Sequence, residues 1–157
     1  MRLADLADAA RKSGLKVVEV DGWRSRGHGN FRGLAGIVCH HTATAKTTPG
    51  DYPSLRVVRD GRTGLAGPLS QLGLGRSGTV YVIAAGVAWH AGTTHRTEQG
   101  NFWTIGIEAE HPGGNTTWPK VQYDAYVRLV AALLANLYLS RLPEREGDHH
   151  AQNKCAH

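Results

Sequence analysis

Cysteine is nearly missing from this chain of 157 residues. Cys39 and Cys155 are too few for a disulfide framework, and Cys39 falls in an apolar run expected to be a buried strand. Synthesis in a reducing compartment is the simplest inference. Long hydrophobic runs are missing too: none approaches the roughly 18 residues that a membrane span needs. The N-terminal Met1-Arg2-Leu3-Ala4-Asp5-Leu6 carries an acid where a signal peptide has its apolar core, so no leader is expected. The GxSxG, P-loop, GxGxxG and HExxH signatures are absent, as are the close ligand pairs of structural zinc sites. There is an excess of base (net charge +5, pI near 9.5), which suits an anionic polymer such as nucleic acid or cell wall. No dense Lys/Arg tract with interleaved aromatics accompanies it, so nucleic acid is not the expected partner.

What the chain does have is 20 glycines and nine histidines, three of them in the last nine residues. The most informative stretch is Gly36-Ile37-Val38-Cys39-His40-His41-Thr42-Ala43-Thr44. An apolar run bounded by glycine and by two histidines reads as a short buried strand that delivers imidazoles to a sheet edge. Successive strand side chains point to opposite faces, so His40 and His41 do not easily serve one site. Either a metal-binding or proton-moving histidine, or a hydrogen-bonded core pair, satisfies this pattern.

In chain order, Leu3, Leu6, Ala7 and Ala10 have helical spacing, predicting a helix from Arg2 to Ser13 capped by Gly14. Leu15 to Val20 reads as a strand, turned by Asp21-Gly22 and followed by a basic loop holding His28. Thr42 to Leu69 reads mostly as loop, with one short helix or strand between Tyr52 and Arg59. A loop of this length in a compact domain is usually functional, and it is placed to border a groove beside His40. Ser70 to Leu74 and Thr79 to Ala84 flank a Gly-Arg-Ser-Gly turn, predicting a hairpin. Trp89 and His90 follow among small residues and look like the wall of a site, or a Trp anchoring a loop.

Between Asn101 and Glu110, Ile105, Ile107 and Ala109 alternate with Gly106, Glu108 and Glu110. On an edge strand both acids would be solvated. On a central strand Glu108 would be buried or at the sheet end, where a carboxylate needs a partner or a role as a base. Pro119 opens a long helix, about Lys120 to Ser140, whose Tyr123, Tyr126, Val127, Val130, Leu134 and Leu137 form a stripe expected to face the sheet. The polar tail holds His149, His150, Cys155 and His157. A catalytic zinc needs only three protein ligands and an open position. His40 with a tail His or Cys meets this in principle, with Glu108 as general base.

Three stretches in order carry a resemblance: Ile37-Val38-Cys39-His40-His41-Thr42-Ala43, Ala88-Trp89-His90-Ala91-Gly92, and Asn101 through Ile105-Gly106-Ile107-Glu108. With the hairpin at Gly78-Thr79-Val80-Tyr81 and the long helix, they resemble the zinc-dependent N-acetylmuramoyl-L-alanine amidases, the amidase-2 or peptidoglycan-recognition-protein family. Gln71-Leu72-Gly73-Leu74-Gly75-Arg76, and Gly22-Trp23 with His28, are similar to endolysins of phages that infect actinobacteria. The resemblance runs from about residue 14 to the C-terminus.

It implies an α/β fold, a central mixed β-sheet flanked by helices, in one amidase-like domain spanning residues 1–157. It implies hydrolysis of the amide between N-acetylmuramic acid and L-alanine, with Zn2+ as cofactor, bacterial peptidoglycan as partner and Glu108 as the catalytic residue. It assigns His40 and His157 as metal ligands, and His90, Trp89 and Asn101 to substrate binding. The third ligand lies beyond His157, the domain then being truncated, or among His149, His150 and Cys155. The family's hairpin usually carries a tyrosine or histidine near the zinc, where this chain has Ser70 and Gln71. The implied protein is a monomer made in a host cytoplasm without a signal peptide, acting on the wall after release. The alternative is a non-catalytic peptidoglycan-binding module of the same fold.

Overall fold

The computed structural model describes residues 1–138. Five strands form the main sheet: β1 (Val17–Glu19), β2 (Gly36–His41), β5 (Leu72–Leu74), β6 (Val80–Val82) and β7 (Thr104–Ala109). Their order is β1-β6-β5-β7-β2. The β5–β6 pair is antiparallel, and the β1–β6, β5–β7 and β7–β2 pairs are parallel, so the sheet is mixed as expected.

Two helices cover one face. The first, α1 (Leu6–Arg11), is shorter than its periodicity suggests, and the turn after it ends at Gly14 with φ +69°. That left-handed conformation is why glycine stands there. The other is α3 (Lys120–Leu133), which runs on into a π-helical turn, Leu134–Tyr138. Ile105, Ile107 and Ala109 of β7 and Leu72 and Leu74 of β5 pack on this side with Leu6, Ala10, Ala125, Leu129 and Leu133 in the larger core cluster.

The α3 stripe that meets the core is only partly the expected one: Leu137 is buried in it, and Tyr126 and Val130 pack against it. Gln122, Ala125, Leu129 and Leu133 are buried, whereas Tyr123 and Val127 are 57% and 53% exposed. The stripe is turned because close approach to the sheet selects small or hydrogen-bonding residues. Ala125 sits against Gly78, and the Gln122 amide donates to the carbonyls of Gly75 and Glu110. Tyr126 is half-buried and its hydroxyl donates to the His40 and Ile107 carbonyls.

A second correction concerns β2. It is an edge strand among the described residues, half-buried rather than buried, and Cys39 is exposed on it. β7 is an interior strand, held between β5 and β2. The loop from residue 42 to 69 contains α2 (Leu55–Asp60) and a two-stranded ribbon, β3 (Gly61–Arg62) with β4 (Leu65–Ala66). It lies over the face opposite the helices, on a smaller cluster of Val20, Tyr52, Val58 and Ile83. Among the described residues no helix is long and apolar enough to cross a membrane.

Candidate active site

Register brings the two informative strands together. β2 and β7 are parallel neighbours with His40 opposite Glu108, so both side chains project from the same face, the one away from α1 and α3. His41 lies opposite Ala109 and its ring packs against Gly113, and it is also among the residues lining the cleft that holds Glu108. The interior position of β7, paired on both sides, decides between the two readings of its acids. Neither Glu108 nor Glu110 is a solvated surface carboxylate.

The two carboxylates differ in their partners. Glu110 is 1% exposed and fully engaged: it accepts from the Ser54 backbone N–H at 3.0 Å, from the Ser54 hydroxyl at 3.1 Å and from the Thr42 hydroxyl at 3.1 Å. It ties the start of α2 to the end of β7. Glu108 has no such partners, and its Oε2 is buried without a hydrogen bond. Burial, and then the charge of Glu110, push its carboxyl up to about 7. A carboxylate that titrates near neutrality and makes no structural bond is suited to taking up and returning a proton.

Two glycines explain how Glu108 is walled in. On its own strand, two residues back and on the same face, Gly106 leaves bare backbone that the His90 ring covers; a Cβ there would lie 2.5 Å from the ring. On β5, Gly73 is opposite Glu108 and is covered by the Tyr52 ring in the same way. Tyr52 stacks on Tyr81 with ring centroids 5.0 Å apart, and its hydroxyl is buried with no partner. Burial, then the nearby Glu108 charge, raise the Tyr52 hydroxyl well above its ordinary range. The sequence reading missed Tyr52 and Gly73. A glycine inside a strand marks close approach by another group, and Gly73 and Gly106 carried that signal.

His90 is held from three directions. Its backbone N–H donates to the Asn101 side-chain oxygen at 2.9 Å, which also accepts from Ala91 N–H at 2.7 Å. The Asn101 amide returns a bond to the Ala91 carbonyl at 2.9 Å. Asn101 therefore shapes the loop carrying His90, and its contacts are internal. The His90 Nε2 lies 3.0 Å from the Thr104 carbonyl, which only accepts, so Nε2 is assigned the proton. Burial lowers this imidazole to about 4, so it is neutral and Nδ1 is an acceptor. The His40 Nε2, 3.1 Å away, then donates to it. Burial, then His41, lower the His40 imidazole as well, which keeps it neutral with a lone pair on Nδ1.

Trp89 stands beside His90. It stacks on His28 at 4.4 Å and meets Phe102 edge-on, and it lines a cleft of about 310 Å3 with Glu108 and His90. The opposite wall comes from the 42–69 segment: Ser54, Val57, Arg62, Leu65 and Leu69. That segment borders the groove that holds Glu108 and His90, while His40, beside which the groove was expected, lines the hollow beyond. Beyond the His40–His90 pair lies a second hollow of about 730 Å3, lined by Val38, Gly92, Thr94, Glu98 and Gln99. Ser70 and Gln71 contribute no group to either. Gln71 is fully buried, accepts from Gly106 N–H at 2.7 Å and donates to the Gly86 carbonyl at 3.2 Å, and the Ser70 hydroxyl is buried.

A neutral imidazole with a free lone pair fits a zinc ligand, so His40 fits the expected role. Among the described residues no group of three His, Cys, Asp or Glu side chains is placed to complete a metal site. His157, with His149, His150 and Cys155, lies outside the described residues.

The profile of the family described as N-acetylmuramoyl-L-alanine amidase matches residues 30–156. No protein with a curated description matches the chain. Solved structures do. Wild-type Drosophila PGRP-LB superposes with a TM-score of 0.56 at 21% identity, covering 77% of this chain and 75% of that one. A mutant of Drosophila PGRP-LB in complex with tracheal cytotoxin gives 0.54 at 22%, covering 76% and 75%. The endolysin amidase LysCS from Clostridium intestinale gives 0.47 at 22%, covering 76% and 74%. The PGRP-LB likenesses establish the fold, and the profile, which spans both β2 and β7, establishes that this chain belongs to the N-acetylmuramoyl-L-alanine amidase family.

Proposed function

We propose that this chain hydrolyses the amide between the lactyl group of N-acetylmuramic acid and L-alanine in bacterial peptidoglycan, as a zinc-dependent, endolysin-type amidase. The observation that carries the reading is Glu108: buried at Oε2, without a structural partner, level with His40 and open to a cleft. Family membership supports the bond cut. His40 and His157 would hold the metal, with a third ligand among His149, His150 and Cys155 or beyond His157. When bound, zinc supplies Lewis-acid polarisation of the carbonyl and acidification of a water molecule.

The chain's own residues do the rest. Glu108 takes a proton from the attacking water and returns it to the leaving amine of L-alanine. His90, neutral and fixed by Thr104 and by the Asn101-shaped loop, holds the His40 ring in orientation. Trp89 walls the cleft and excludes water from one side. The basic surface favours anionic wall polymers. The setting proposed is that of a phage lysin made in a host cytoplasm and acting on the wall as a monomer.

The test is Glu108→Gln, assayed on purified peptidoglycan by release of free amine, with bound zinc measured in parallel. Loss of about 10²–10⁴-fold in rate with zinc and fold retained is expected. Full activity in this variant removes Glu108 from the mechanism. His40→Ala is expected to lose zinc as well. Binding of peptidoglycan without amine release, by a folded wild-type chain that takes up no zinc, would establish the binding-module alternative.

A further inference from the structure

The sheet face that carries Glu108 holds two buried polar atoms with no partner among the described residues. One is Glu108 Oε2 and the other is the Tyr52 hydroxyl. They meet over the same two strands. Gly73 and Glu108 are register partners on the parallel neighbours β5 and β7, and the Tyr52 ring lies on Gly73. A Cβ on Gly73 would stand 2.4 Å from the ring carbon that bears the hydroxyl and 2.6 Å from the hydroxyl oxygen itself. That oxygen is therefore over the backbone of β5, one strand across from the carboxylate. Neighbouring strands stand about 4.8 Å apart, a gap that one water molecule bridges between two oxygens.

The two atoms are complementary. A tyrosine hydroxyl donates, and an ionised carboxylate only accepts. Buried polar groups in folded proteins are nearly always paired, with protein atoms or with ordered water.

Tyr52 is also a firm platform. Its ring stacks on Tyr81 with centroids 5.0 Å apart, and the Tyr81 hydroxyl is itself tied to Asp51 at 2.9 Å. The ring packs in the cluster with Val20, Val58 and Ile83, and the Tyr52 carbonyl accepts from the Leu55 N–H at 3.1 Å at the start of α2. A ring held in this way keeps its hydroxyl in one place.

Glu108 lines the cleft and Tyr52 does not. The carboxylate thus has an inward oxygen, Oε2, beside the tyrosine, and leaves Oε1 for the opening. Glu110 shows the contrast. Three donors engage both of its oxygens, and it serves as a fastening. A carboxylate held at neither oxygen swings freely, and one held at both has no lone pair to spare for a proton in transit. One donor on the inward oxygen fixes direction and keeps the outward oxygen free.

We infer that Tyr52 is a positioning residue for Glu108: its hydroxyl donates, across one buried water, to Oε2 and so keeps Oε1 turned towards the amide in the cleft. This rests on the amidase reading of the site.

The test is a double-mutant cycle between Tyr52→Phe and Glu108→Leu on the full chain freed of metal. It is read as melting temperature at pH 8.5, above the point near 7 at which Glu108 titrates. In parallel, kcat and KM for amine release from a muramoyl tripeptide are measured on the zinc-loaded Tyr52→Phe chain. This substitution keeps the ring and removes only the oxygen. Expected is a loss of about 2–4 °C where Glu108 is present, and no loss where it is Leu. The kcat should fall about tenfold, with KM and bound zinc unchanged. Tyr81→Phe is the control. It removes the other hydroxyl of the stacked pair, and should lower the melting temperature equally in both backgrounds and leave kcat unchanged. Equal shifts for Tyr52→Phe in both backgrounds, or an undiminished kcat, overturn the inference. Failure of the underlying reading looks different. If the wild-type chain releases no amine while Tyr52 and Glu108 remain coupled in melting temperature, the amidase reading falls and the pairing stands.

Discussion

The two faces of the one sheet are built on opposite rules. Towards α1 and α3, β5 and β7 present Leu72, Leu74, Ile105, Ile107 and Ala109, each 0% exposed, and side chain packs on side chain. On the other face the same strands present Gly73, Gly106 and Glu108, and aromatic rings from elsewhere lie directly on backbone. The first arrangement buries the most apolar area and is the source of stability. The second gives up side chains of its own and leaves a notch in which one carboxylate stands between two borrowed rings. A single β-strand thus serves as core on odd residues and as a site on even ones.

Four expectations test that division, in order of size. Leu129→Ala, on the helix face, should cost about 2–5 kcal/mol of stability by opening a cavity, read as a shift in the denaturant midpoint. Any activity that survives, measured where the variant is folded, should be near normal. Gly73→Ala should cost less, about 1–3 kcal/mol, but should impair catalysis in the folded protein because Tyr52 must move away from Glu108. If Gly73→Ala were silent in both assays, the notch would not matter.

The third is a pH effect in the metal-free chain. The folded carboxyl of Glu108 titrates near 7 against an ordinary value of 4.5. An acid whose folded value is raised favours the folded state while protonated. Its contribution is therefore complete below 4.5 and is lost as pH rises through 7. Melting temperature should fall across that window relative to the Glu108→Gln variant, corresponding to on the order of 1–3 kcal/mol. Parallel curves for the two chains would place Glu108 in water. Smallest is Tyr123→Ser on the outward side of α3, expected within about 0.5 kcal/mol of wild type. A larger loss there would mean that the exposed stripe is covered.

The helix and strand positions were largely readable from periodicity, and His40 and Glu108 from an apolar run ending in imidazole and from an acid inside an alternating strand. Their juxtaposition was not. It depends on the parallel β2–β7 register between segments more than sixty residues apart, which no local pattern encodes. The face of α3 was read correctly at Tyr126, Val130 and Leu137 but not at Tyr123 and Val127, because tyrosine and valine outrank Gln122 and Ala125 in hydrophobicity, while the sheet needed small size and an amide donor. Tyr52 escaped notice because its partner is a missing side chain. Glu110 looked equivalent to Glu108 in sequence, and only its bonds to Ser54 and Thr42 separate a fastening from a reactive group.

The tip of the β5–β6 hairpin has one more consequence. Asp51 accepts from the Ser77 N–H at 2.6 Å and from the Tyr81 hydroxyl at 2.9 Å, while Arg76 reaches back to the carbonyls of Thr48, Gly50 and Ala45. The long segment over the cleft is thus fastened to the hairpin by a reciprocal clasp. Ordering such a segment costs conformational entropy, about 1–2 kcal/mol per residue for backbone alone. Here that cost is met when the chain folds, so a ligand entering the cleft spends none of its binding free energy on assembling the wall it touches.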